Sequence, residues 1–174
     1  MTIALVGFMG SGKTTIGRNL ARRTGYRFVD IDSVIEDRAG RSIAEVFGAE
    51  GEAAFRRREA DVLAELLDDE GVVLSCGGGV IVTEANRERL KDKATVVYLQ
   101  AEPLDIFERV GDTGDKRPLL RADDPMAEIE RLLGEREPLY LEVAEIVVET
   151  TDKEIDEVVD EILNEFKVRG LSID

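Results

Sequence analysis

The stretch IALVGFMGSGKTT, Ile3 to Thr15, passes from a short apolar run straight into a glycine-rich turn that ends in Gly-Lys-Thr. Gly7 to Thr14 match G-x-x-x-x-G-K-[ST], and they stand where that pattern works, after one strand and at the start of a helix. Glycines let backbone N–H groups turn inward around phosphates, and the helix N-terminus adds positive potential. Lys13 then reaches the β/γ oxygens of a nucleotide and the Thr14 hydroxyl ligates Mg²⁺. Gly10, Ser11, Gly12, Lys13, Thr14 and Thr15 are therefore candidate ATP contacts, with Mg²⁺ as the implied cofactor.

Working outward, short β-branched runs recur at Ile3 to Val6, Phe28 to Ile31, Val72 to Leu74, Val96 to Leu99 and Ile146 to Val148, separated by segments of helical spacing. That alternation predicts an α/β fold with a parallel sheet covered by helices. Ile16, Leu20 and Ala21 share one face of a helix that Gly25 is placed to end. Ser42 and Glu45 have the spacing of a capping box, so a helix is expected to begin near Ile43. Phe55, Val62, Leu63, Leu66 and Leu67 predict a buried stripe, and Ile155, Val158, Val159, Ile162 and Phe166 predict another in the last helix. A length of 174 residues with no dividing linker is expected to form one domain, residues 1–174.

Composition removes whole classes of chemistry. The chain has no His, which excludes His-dependent triads, His general bases and nearly every common zinc site. Its one cysteine, Cys76, has no internal disulfide partner, which suits a reducing compartment and places the protein in the cytoplasm. Neither a basic leader nor a membrane-length apolar run is present, so no membrane association is expected. A net charge of −15 repels polyanions and argues against a nucleic-acid partner. None of the six lysines stands in the N/T-K-x-D pattern that reads guanine, which argues against a switch GTPase.

Three further features point beyond nucleotide binding. Asp30 and Asp32, two apart at the end of the second apolar run, are expected to face one cleft from an extended backbone. One would hold Mg²⁺ through water, the other an acceptor hydroxyl. Gly77, Gly78 and Gly79 strip side chains from the end of the third run and expose backbone donors to a ligand. The usual acidic residue after that run is missing, because Ser75 and Cys76 follow Leu74; both are expected to be structural. The segment from Gly111 to Pro125, with its Gly, Pro and charged residues, is expected to be a mobile lid.

Taken in order, GFMGSGKTT, FVDID, GRSIAEVFGAEGEAAFRRRE, SCGGG, RPLL and REPLY resemble the shikimate kinase family over nearly the whole chain. The resemblance implies a three-layer αβα P-loop fold similar to nucleoside monophosphate kinases, with a five-stranded parallel sheet, a shikimate-binding helical region and a lid. It implies ATP-dependent phosphorylation of the shikimate 3-hydroxyl, a step toward chorismate and aromatic amino acids. Lys13 and Thr14 match the family's phosphate and magnesium positions, Asp30 its water-mediated metal carboxylate, and Asp32 the carboxylate at the shikimate hydroxyls. Arg56 and Arg136 match the arginines that hold the shikimate carboxylate, and Gly78 and Gly79 match its backbone contacts. Arg117 matches the lid arginine, and Arg109 the one that packs on adenine. A loop ETTDKEIDE without the proline often found there departs from the pattern on the adenine side. Lys13, Asp32 and Arg117 are the expected catalytic residues, in a protein expected to be a monomer. A kinase for another small hydroxy acid, such as gluconate, and a non-catalytic nucleotide-binding subunit are the alternatives.

Overall fold

A computed structural model describes residues 1–111, 123–171 and 173 of the chain. Strands β1 (Thr2–Val6), β2 (Arg27–Asp30), β3 (Val72–Ser75), β4 (Thr95–Gln100) and β5 (Ile146–Glu149) form one wholly parallel sheet in the order β2-β3-β1-β4-β5. The strands are short apolar runs because both faces of the sheet are covered. Alternate residues supply two cores. Ala4, Val6, Val72, Leu74, Val96 and Tyr98 face one, while Ile3, Leu5, Val73, Val97 and Leu99 face the other.

Helices α1 (Lys13–Thr24) and α7 (Ile155–Val168) close the second core with Ile16, Leu20, Val158, Val159, Ile162 and Phe166. The first core is closed by α2 (Ile31–Ala39), α3 (Ile43–Leu66), α4 (Glu84–Lys93), α5 (Pro103–Gly111) and α6 (Pro125–Val143). The result is the expected three-layer αβα arrangement. The expected stripes are buried except for Ile155, which is exposed because it opens α7 at the surface. Gly25 ends α1 in the left-handed conformation, and Ser42 and Glu45 form the reciprocal cap of α3. Within α3 the helical geometry breaks at Gly51, which has φ 81° and ψ 171°.

From β1 the chain fills one half of the sheet, with β2 and β3, and then crosses to place β4 and β5 on the other. The order therefore reverses beside β1, and the carboxyl ends of the strands there form the crevice where such sheets bind ligands. The loops after β1, β2 and β3 meet in it. Most of the expected lid, residues 112–122, lies outside the described residues, and Arg117 with it. Among the described residues, no helix is long and apolar enough to cross a membrane.

Candidate active site

Residues 7–12 connect β1 to α1, with Gly10 and Gly12 at positive φ and Gly12 capping the helix. Lys13 is buried, and its Nζ donates to the carbonyls of Gly7 and Phe8, both at 2.8 Å, so the ammonium group lies across the loop. Ser11 is fully buried and Thr15 exposed. Thr14 Oγ1 donates to Asp30 Oδ2 at 2.8 Å and stands 3.5 Å from Ser75 Oγ. Three side-chain oxygens from α1, β2 and β3 thus converge at the foot of the phosphate loop. Ser75, expected to be structural, stands beside Thr14 at the end of a strand that no acidic residue follows.

The pairing of Asp30 with Asp32 does not come from an extended backbone. β2 ends at Asp30, whose side chain caps α2 by accepting from the Asp32 N–H at 3.1 Å, and Asp32 lies in the first helical turn. A run read as continuing to Ile31 stops one residue earlier, because Asp30 is a better helix cap than strand residue. The helix start still turns Asp32 toward the crevice: a Cβ placed on Gly77 would lie 3.0 Å from Asp32 Oδ1 and 2.8 Å from Glu59 Oε1.

The glycine loop after β3 is packed between the phosphate loop and Arg56. A Cβ on Gly78 would meet Met9 N of the phosphate loop at 3.3 Å, and one on Gly79 would collide with the Arg56 guanidinium at 2.3 Å. Only glycine lets Arg56 lie flat against that backbone. Arg56, on α3, pairs with Glu59 at 2.8 Å and Glu52 at 3.5 Å. Glu59 is fully buried and its Oε1 has no hydrogen-bond partner. Burial raises its pKa most, Arg56 opposes the rise, and Asp32 adds to it. Arg136, on α6 and 8% exposed, lies with its guanidinium carbon 5.7 Å from the centroid of Phe8. Two arginines from different helices thus stand beside the phosphate cradle, Arg56 against Gly79 and Arg136 over Phe8.

On the other side of the loop, exposed Arg109 of α5 reaches Gly10 O at 3.3 Å and Thr150 O at 3.4 Å. It spans the phosphate loop and the turn after β5, where Asp152 has φ 57°. The buried Cys76 thiol is pushed up far from its ordinary value, chiefly by burial, and stays protonated.

Sequence reading brought out most of these residues, gave Ser75 only a structural part and passed over Glu59. Glu59 stands in FRRRE, where an acid three residues from Arg looks like an ordinary surface ion pair. Its spacing from Phe55, Val62 and Leu63, all on the buried face, is the signal that was there to be read.

A family model described as shikimate kinase matches residues 9–167. The shikimate kinase of Nitrosococcus oceani is 45% identical over 165 residues, covering 95% of this chain and 86% of that protein. That of Symbiobacterium thermophilum is 42% identical over 171 residues, covering 98% of each. The shikimate kinase of Acinetobacter baumannii, solved in complex with shikimate, superposes with a TM-score of 0.94 at 40% identity, over 98% of this chain and 95% of that one. With the phosphate loop, the crevice and the paired arginines in one place, the chain belongs to the shikimate kinase family.

Proposed function

We propose that this enzyme transfers the γ-phosphoryl group of ATP to the 3-hydroxyl of shikimate, giving ADP and shikimate 3-phosphate. The observation that carries the reading is that Arg56 lies against Gly79 and Arg136 over Phe8, where the Gly77–Gly79 loop packs against the phosphate loop. In a chain of charge −15 these forks give a carboxylated acceptor a local positive site, and guanidinium geometry suits a carboxylate better than an ammonium does.

Thr14, Asp30 and Ser75 offer only oxygens, which fits a hard cation such as Mg²⁺. Among the described residues no cluster of three or more His, Cys, Asp or Glu exists, in keeping with an ion held mainly by phosphates and water. Thr14 would hold it directly and Asp30 through water; once bound, it neutralises charge on the β- and γ-phosphates. Lys13 stabilises the charge that develops on the transferring group. Asp32 orients the acceptor hydroxyl and takes its proton as the oxygen forms the new P–O bond and the β–γ bridge breaks, its electron pair leaving with ADP. Arg117, outside the described residues, is assigned to the moving phosphoryl group, and Arg109 to the adenine side.

A monomer is part of this reading, and a lone buried thiol suits the cytoplasm. Replacing Arg136 by Ala should weaken shikimate binding by roughly 2–5 kcal/mol, the usual range for truncating one partner of a buried charge pair, with ATP affinity little changed. Calorimetric titration with each ligand checks this. Equal losses for both would remove Arg136 from the acceptor site.

A further inference from the structure

One helical turn beyond Arg136 on α6 stands Tyr140, whose hydroxyl donates to the carbonyl of Gly78 at 2.5 Å. Tyr140 is fully buried, and its ring stacks on Tyr98 of β4 at a centroid separation of 5.0 Å. It is thereby fixed to the sheet on one side and to the loop after β3 on the other.

We propose that Tyr140 is a positioning residue for the acceptor site, tying the Gly78 backbone to the helix that carries Arg136. The proposal rests on the assignment of Arg136 and Gly78 to the acceptor. The geometry requires the phenol to be protonated, since it donates to the Gly78 carbonyl. Burial keeps it so by raising its pKa, against the opposing pull of Arg136.

Because α6 and the loop after β3 are far apart in sequence, nothing local sets their separation. The Tyr140 hydroxyl sets it with one oxygen.

The test is Tyr140→Phe, which keeps the ring and its stack on Tyr98 and removes only the oxygen. Shikimate KM should rise roughly 10- to 100-fold, the scale of leaving a buried carbonyl unpaired, while ATP KM stays within about twofold. Tyr98→Phe is the control: its hydroxyl meets Glu137 at 3.4 Å in the same stack, and its loss should leave both KM values within about twofold. An unchanged shikimate KM in Tyr140→Phe, or equal effects of the two tyrosine variants, overturns the proposal.

A second measurement does not depend on the acceptor being shikimate. In NMR spectra of the protein without substrates, Tyr140→Phe should shift the Gly79 amide, which shares a peptide group with the Gly78 carbonyl. If that amide stays in place the tie is absent, whereas failure of the wild type to use shikimate would overturn only the functional reading.

Discussion

At Glu59, burial and pairing pull in opposite directions. The side chain sits out of water with one oxygen on Arg56 and the other unpartnered beside Gly77. Its pKa is raised, by burial first, so the native state binds the proton more tightly than the unfolded chain does. Stability must then fall as pH rises from the ordinary carboxylate range through the raised pKa, and the penalty is fully present above it. Glu59→Gln removes that penalty while keeping the shape. Thermal midpoints measured across the pH range should show the variant at least as stable as wild type at neutral pH, with the difference shrinking as pH is lowered. A variant that loses most stability at neutral pH would show that the pair with Arg56 outweighs burial. Lys13 and Thr14 were legible in the sequence because their chemistry depends on neighbours along the chain. Glu59 and Tyr140 were not, because their roles depend on residues brought together only by packing.

The element that carries Arg56 and Glu59 is aimed by one glycine. α3 starts at the Ser42–Glu45 cap and changes course at Gly51, whose φ of 81° and ψ of 171° fall in a region essentially closed to other residues. No atom outside its immediate surroundings lies within 4 Å of a Cβ placed there, so Gly51→Ala tests backbone strain without a steric clash. It should lower unfolding free energy by roughly 1–3 kcal/mol, seen as a lower urea midpoint at unchanged slope. No change would mean that the chain bends elsewhere at little cost. The caps at Gly25 and Ser42 and the buried stripes of α1 and α3 could be read in advance, since they rest on local chemistry and on period. The start of α2 could not, because FVDID suits a strand that runs on through Ile31 as well as one that ends in a cap. Only the pairing of Asp30 with Ser75 in the β2–β3 register shows where the strand stops.

Across the whole molecule, alternation of strands and helices made the layered architecture legible, and the family resemblance supplied the five-stranded sheet. The strand order was not legible, since it depends on which edges pair across long separations; it places β1 centrally, with the loops after β1, β2 and β3 in one crevice. That crevice sets a phosphate loop beside two arginines inside an acidic protein, and this juxtaposition carries the proposed acceptor assignment. The central claim is therefore tested most directly by the initial rate of ADP release from Mg·ATP with shikimate, with gluconate and with no acceptor. The account predicts release that depends on shikimate, matched one for one by a phosphate monoester at the 3-hydroxyl in ³¹P NMR, with little release in the other two mixtures. Release that is the same without an acceptor, or that gluconate supports better than shikimate, would contradict it.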